Sequence, residues 1–388
     1  MKNPFLISCL LLAFIFSFAS CSKNEVRIVV KNNLDIKRAT ETITLKWVDL
    51  NKSGNPFSPD SIIVVNEKNN TELIYQNLDY DSDGVADELI FQSGFEAGES
   101  LTFVIKAGKP TTVADSISTF GRYVPERKDD FTWENDLVAF RTYGPALAKD
   151  PTNVARSGLD CWLKRVKYPI INKWYQPEMK YHVDQGEGYD PYHVGRSLGC
   201  GGLGILKEDT IITSNVYNKW KLIAQGPLRV VFELSYDSAW LETGESFTET
   251  KRISLDLGQR LSKIESMFDG AANKPFVVGI TTHNDTAKVY TNPTATWIAC
   301  WELIDSIGFG AGLVVDQATA TEVKEIHRKV KDASHVLLSI TCNNEGKIEY
   351  YAGYGWQKAG EITTVEQWQA YLDEFAKRIN SPLEVQIK

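Results

Sequence analysis

The chain has 388 residues, with 42 lysines and arginines against 50 acidic residues and a formal net charge of −8. A mildly acidic protein with no basic run is a poor partner for nucleic acid, although local cations can still hold small anions. With 43% hydrophobic residues it can bury one large core or two moderate ones.

Lys2 supplies a positive start, Phe5 to Phe18 form a nearly unbroken apolar run, and Ala19 and Ser20 are small. The run is too short to span a bilayer, so residues 1–20 read as an export signal outside the fold. Cys21, directly after Phe18-Ala19-Ser20, resembles the acylated cysteine of a bacterial lipobox; an ordinary cleaved signal is the alternative. Residues 21–24 then form a tether. The mature chain is expected in the periplasm or at the outer membrane of a Gram-negative bacterium, touching the membrane only through its lipid.

Period-two alternation follows at Val26–Val30, Ile43–Val48, Ile62–Val65, Leu73–Tyr75, Leu89–Phe91 and Leu101–Ile105, with turn-forming clusters between. These strands predict a small antiparallel β-sandwich over 25–110. Within it, Asp79, Asp81, Asp83 and Asp87 have the alternate spacing of a calcium loop, with Gly84 at the turn. Ile90 stands where an EF-hand needs its bidentate glutamate, so the choice lies between another kind of structural calcium loop and a solvated turn.

From Val138 a longer series of strands begins, including Leu228–Tyr236, Phe247–Leu255, Leu261–Phe268, Phe276–Thr282, Thr296–Leu303 and Val336–Thr341. Strand after strand without long helices predicts a large antiparallel sandwich or barrel over 111–388. Two alternating strands around Gly258-Gln259 resemble the centre of the galactose-mutarotase-like supersandwich. One C-terminal helix is expected: Thr363 and Glu366 form a capping box, and Val365, Trp368, Leu372, Phe375 and Ile379 recur at helical spacing. The fold class is thus mainly β, a small sandwich plus a supersandwich with one terminal helix.

The richest segment for chemistry runs from Asn172 to Gly202 and gathers His182, His193, Lys173, Lys180, Arg196, Asp184, Glu187 and Asp190 among glycines and prolines. Titratable groups and cations in a loop-rich stretch point to a site that binds an anionic ligand and moves protons. His182 and Asp184 would share one face of an extended strand. The histidines can be acid/base groups, satisfied structural residues, or zinc ligands with Asp184 or Glu187, although no established zinc spacing is present. His283 is a second-rank candidate at a strand end, and His327 lies in a charged stretch expected to be helical and exposed. Upstream, Arg127, Arg141, Trp162 and Lys164 alternate cations with tryptophans, either a platform for acidic sugars or a charged face over half-buried tryptophans. Cys161, Cys200, Cys300 and Cys342 form no CxxC; they allow three disulfide pairings or four buried thiols. There is no GxSxG elbow, phosphate loop or dinucleotide fingerprint.

Tyr168-Pro-Ile-Ile-Asn-Lys173-Trp174, His182-Val-Asp184 with Gly186-Glu-Gly188, Val194-Gly195 to Gly199-Cys-Gly-Gly202, and Ala352-Gly353 to Gly355-Trp356 resemble a family of lipoproteins from Bacteroidetes polysaccharide-utilisation loci, catalogued as a domain of unknown function. The resemblance covers essentially the whole mature chain. It departs from the pattern at Leu163-Lys164, where a Gly-His-like pair is expected. It implies a cofactor-free dehydratase acting on uronate-containing oligosaccharides by β-elimination. A cation must neutralise the carboxylate, a base must take the proton α to it, and an acid must serve the leaving oxygen. The roles so implied are His182 or His193 as base, Tyr175 or Lys173 as acid, and Asp184 to orient a histidine. Arg127, Arg141, Lys164 and Arg196 would bind the substrate with Trp162, Trp174, Glu187 and Trp356. The rivals are a non-catalytic glycan-binding lipoprotein, a chain-cleaving lyase, and a hydrolase using Glu134 and Glu187.

Overall fold

The computed structural model describes residues 25–388 except 53–56, 113–118, 151, 153–154, 238–243, 245–246, 285, 293 and 295. The signal, Cys21 and the tether lie outside the described residues. No helix among the described residues is long and apolar enough to cross a membrane.

The N-terminal strands make two antiparallel sheets over one core that includes Ile28, Leu45, Ile62, Phe91 and Phe103. The larger sheet takes its outer strand from Glu384–Ile387, beyond the 25–110 span expected for it, with Ile387 opposite Ile28. Residues 47–52 form a short helix where the strand Ile43–Val48 was expected to continue. Its Trp47 and Leu50 turn into the core, an arrangement that alternation alone does not distinguish from a strand end.

The remainder is the antiparallel supersandwich. An eight-stranded sheet, built from strands between Lys219 and Trp356, packs on two five-stranded sheets. One of these contains Cys200–Lys207, Pro275–Thr282 and Ser334–Thr341, and the other contains Phe120–Val124, Asp130–Glu134, Ala139–Thr142, Asp160–Lys164 and Gly188–Tyr189. Phe232, Ile264, Leu313 and Tyr350 of the large sheet share a core with Leu203, Val278 and Leu338 of one small sheet, and with Phe131, Phe140 and Leu163 of the other. A bridge between Leu159 and Gly199 stitches the two smaller sheets together. A Cβ on Gly199 (φ +62°) would lie 2.0 Å from the Leu159 carbonyl oxygen, so only glycine permits this approach. The run Gly199-Cys-Gly-Gly-Leu-Gly204 therefore packs sheet against sheet.

The helix Val365–Asn380 covers the outer face of the large sheet, with Trp368 and Leu372 packed on Leu261, Ala299 and Val314. Its cap is Thr364, one residue later than expected. The Gln367 amide donates to Thr364 Oγ1 at 3.3 Å, and Gln367 Oε1 accepts from the Thr364 amide at 3.2 Å. Glutamine fills the reciprocal position as well as glutamate does, and two adjacent threonines make both frames readable. The charged stretch before His327 is the strand Ala320–Ile326, not a helix. His327 itself is exposed, 3.3 Å from Glu325. Cys161, Cys200, Cys300 and Cys342 are all buried free thiols.

Candidate functional site

The sheet containing Arg141 has two unlike faces. Phe131, Trp133, Phe140, Cys161 and Leu163 enter the main core. The alternate residues Asp130, Glu134, Arg141, Asp160, Trp162 and Lys164 project from the opposite face, yet all are buried. What covers them is the segment 165–187, whose Trp174, Tyr175, Met179 and Tyr181 pack with Trp162 and Ala139. Trp162 stacks on Trp174 with centroids 5.4 Å apart and on Tyr181 at 5.2 Å. The result is a charged layer beneath an aromatic roof.

At one end of this layer every group is satisfied. Lys164 Nζ donates to Glu134 Oε2 at 2.7 Å, to the Asn135 carbonyl at 2.8 Å and to the Tyr168 carbonyl at 3.0 Å. Glu134 accepts from the amides of Ile170 and Ile171, where the short helix Ile171–Trp174 begins. All three donors of Lys164 are spent, so it holds the covering segment and has none left for a substrate. Glu134 is committed to the same network, which removes the Glu134–Glu187 hydrolytic pair.

The other end is different. Arg141 and Asp160 lie directly opposite each other on neighbouring strands. Arg141 Nε donates to Asp160 Oδ2 at 2.8 Å, and Nη2 donates to Asp190 Oδ2 at 2.8 Å. Asp130 Oδ2 is 3.9 Å from Arg141 Nε, and Asp130 Oδ1 is 3.3 Å from Arg127 Nη1. Tyr143 donates to Asp160 Oδ2 at 3.3 Å. The guanidinium sits 5.2 Å from the Trp162 ring centroid and is only 3% exposed. Its Nη1 is shielded from solvent and has no hydrogen-bond partner among the described residues.

Burial pushes Asp130 up to about 6 against the pull of Arg141 and Arg127. Burial, reinforced by Asp190, pushes Asp160 up to about 7. Burial also raises Asp190, against Arg141. Burial opposes the Arg141 charge, but Asp190 and Asp160 outweigh it and hold the guanidinium ionised.

This end opens to a cleft of about 730 Å³ lined by Arg127, Arg141, Tyr143, His182, Asp190 and His193, with Tyr189, Tyr192 and Asp305 also on its walls. His182 Nδ1 is 2.9 Å from the Asp190 carbonyl oxygen and 3.5 Å from Asp190 Oδ2. A proton on Nδ1 satisfies the carbonyl and leaves Nε2 with its lone pair. His193 Nδ1 lies 3.8 Å from Asp332 Oδ2. Both imidazoles are largely exposed, at 64%. The His193 loop is fixed by His283, whose Nε2 is 2.7 Å from the His193 carbonyl and whose Nδ1 is 2.6 Å from Glu302 Oε1. Both ring nitrogens face acceptors, so although burial disfavours the charge, Glu302 raises the pKa. His335 is the opposite case: Nε2 accepts from the Leu198 amide, Nδ1 faces the Ala333 carbonyl, and burial lowers it to about 4.

The structure thus brings His182, His193, Arg127 and Arg141 together and places the other candidates elsewhere. The 181–184 segment is a turn rather than a strand, with the Val183 amide on the Lys180 carbonyl, so His182 meets Asp190 instead of Asp184. Asp184 pairs with Lys358 at 2.5 Å and Arg165 at 3.1 Å and accepts from the amides of Gly186 and Gly188. Lys173 pairs with Glu187 at 2.7 Å, and Trp174 Nε1 reaches Glu187 at 3.3 Å. The Tyr175 hydroxyl faces Asp130 at 3.5 Å under the roof and does not line the cleft. Trp162, Trp174 and Trp356 are core residues without a free face for a sugar. Arg196 is exposed and lines a neighbouring cavity. In the N-terminal loop, Asp79, Asp81 and Asp87 bring carboxylate oxygens within 4.8 Å of one another. Asp83 accepts from the Val85 amide instead.

Asp130, Asp160, Asp305 and Asp332 were missed. Asp305 reaches the cleft from a two-residue hairpin turn in which Asp305 and Ser306 both have positive φ, and it accepts from the Tyr189 hydroxyl at 2.7 Å.

Comparison with known proteins places this geometry in context. Residues 30–385 match the model of the domain of unknown function DUF4861. The chain is 36% identical over 387 residues to Uncharacterized protein P7 of Formosa agariphila, covering 96% of each. It also resembles the structure of a protein in the glycosyl hydrolase family 38 from Enterococcus faecalis, with a TM-score of 0.52, 9% identity, and 94% of this chain against 47% of the other. An alpha-mannosidase from Enterococcus faecalis V583 superposes with a TM-score of 0.48 at 10% identity, again over 94% of this chain and 46% of the other. The chain spans about half the length of these solved structures.

Proposed function

The chain belongs to the DUF4861 family, and we propose that it is a carbohydrate-active enzyme that removes water, by β-elimination, from a terminal uronate of an oligosaccharide. The observation that carries this reading is Arg141: a buried guanidinium on the wall of a cleft that also carries two exposed histidines, held from two sides by carboxylates and with one solvent-shielded edge left unpartnered. An unpaired buried donor is costly unless something completes it, and a carboxylate is the natural complement of that edge. The fold shared with a glycosyl hydrolase family 38 protein adds support for a sugar ligand.

In the proposed reaction the uronate carboxylate lies against the Arg141 and Arg127 guanidinium groups that line the cleft. Withdrawal of charge into the guanidinium makes the C5 proton removable. His182 Nε2 takes that proton, the C5–H pair becomes the C4–C5 double bond, and the C4–O bond breaks. His193 gives the leaving oxygen its proton. A free C4 hydroxyl leaves as water, and a glycosidic oxygen would leave as a shortened chain. Asp190 positions His182 and Asp332 positions His193; Lys173 and Tyr175 have no part. No cofactor enters.

The reading predicts turnover of uronate oligosaccharides and none of the same oligosaccharides after reduction of their carboxyl groups to alcohols. Equal turnover of both would remove Arg141 from its role and point to a hydrolase. We further propose that Cys21 carries the lipid anchor; labelled palmitate should enter the wild-type chain and not Cys21→Ser.

A further inference from the structure

The cleft does not end at His193. Val194 and Gly195 are shared with a second cavity of about 480 Å³, which Arg196, Arg328 and Lys331 line. All three cations are exposed. The acids of this cavity are already engaged: Asp209 faces Lys324 at 3.0 Å, and Asp332 faces His193 at 3.8 Å. Arg328 donates from Nη2 to the Asp209 carbonyl at 2.8 Å, whereas Arg196 and Lys331 make no ion pair with a described residue. In a chain of net charge −8, this concavity carries a local excess of positive charge. The cavity therefore offers exposed cationic donors for an anion, with its two acids turned to other partners.

Resting on the glycan reading of the first cleft, we propose that this second cavity is a subsite for a further acidic sugar residue of the same oligosaccharide, bound through carboxylate or sulfate oxygens. A chain end seated at Arg141 and His182 continues across Val194 and Gly195 and meets Arg196, Arg328 and Lys331. Exposed cations each contribute little alone, but a covalently linked sugar arrives at high effective concentration, so the gain appears as a dependence of affinity on chain length.

The test is calorimetric titration of the full chain with three probes: an unsulfated glucuronate disaccharide, the corresponding tetrasaccharide, and a tetrasaccharide bearing sulfate esters. Wild type is compared with the triple variant Arg196→Ala/Arg328→Ala/Lys331→Ala, which should fold because all three side chains are exposed. Wild type should bind a tetrasaccharide about tenfold more tightly than the disaccharide, and the variant should bring that ratio to about two or less while keeping its disaccharide affinity. A gain shared by both tetrasaccharides assigns the subsite to a carboxylate, and one confined to the sulfated probe assigns it to a sulfate ester. A variant that keeps the full gain overturns the subsite and leaves the first cleft standing. Wild type that binds none of the probes overturns the glycan reading and the subsite together. Should the triple variant unfold, Arg196→Ala alone should still lower the ratio, and an unchanged ratio overturns the subsite.

Discussion

Arg141 holds Asp190 at 2.8 Å through Nη2 while its Nη1 remains without a partner. One guanidinium thus fixes the residue that positions His182, lines the cleft, and keeps a solvent-shielded donor unpaired. Arg141→Lys keeps the charge but cannot span Asp160, Asp190 and a substrate at once. We expect kcat/KM to fall about 100-fold or more, with the chain still folded. Arg141→Met leaves Asp160 and Asp190 buried without their cation and should cost about 3–5 kcal/mol in urea unfolding. Wild-type kcat/KM in Arg141→Lys would remove the carboxylate-binding role.

The two ends of the charged layer should respond differently. Lys164→Met leaves Glu134 buried without its cation and should destabilise by about 3–5 kcal/mol. At temperatures where the variant remains folded, turnover per folded molecule should stay near wild type, because Lys164 has no donor left for a ligand. Loss of turnover in a folded Lys164→Met protein would place Lys164 in the site after all.

Among the histidines and their neighbours, His182→Gln should lower kcat by a factor of about 10²–10⁴. Lys173→Met should change kcat by less than about threefold, because an exposed ion pair to Glu187 contributes little. Reversed outcomes would return the proton-transfer role to Lys173.

His335 gives stability an acid limb. Folded, it stays neutral down to about pH 4, whereas the unfolded imidazole takes its proton near 6.5. Between those values the unfolded chain holds more protons, so stability falls as pH falls, by about 3 kcal/mol in all. Asp160 acts with the opposite sign, since its folded carboxyl keeps a proton up to about 7 and stability falls as pH rises from about 4 to 7. Unfolding of His335→Gln and Asp160→Asn against pH should flatten these two limbs separately. An unchanged acid limb in His335→Gln would mean that His335 is not the group responsible.

Much of the framework was legible. Period-two runs such as Leu261–Phe268 became strands at nearly the expected bounds, and the helical stripe from Val365 to Ile379 became the terminal helix. Short or glycine-rich strands such as Gly188–Tyr189 and Cys200–Lys207 carried no alternation to read. At the site, the density of titratable groups around His182 and His193 pointed to the cleft, and Arg141 stood among the candidates. Its pairing with Asp130, Asp160 and Asp190 was not legible, because Asp130 and Asp160 come from separate strands and Asp190 from the residue just after a third, and only the pairing of those strands makes them neighbours. The tryptophans were legible as a cluster but not as buried. A Trp beside Arg reads the same whether it faces a sugar or, like Trp162, lies beneath a guanidinium inside the protein.

The most direct measurement is to incubate purified protein with a panel of uronate oligosaccharides and follow unsaturated-uronate absorbance alongside the mass of the products. The account predicts rising absorbance with loss of one water from an otherwise intact oligosaccharide, abolished in His182→Gln. Shortened chains with rising absorbance would make the enzyme a lyase, and shortened chains without it a hydrolase. Binding with no change in absorbance or mass would contradict catalysis at this cleft.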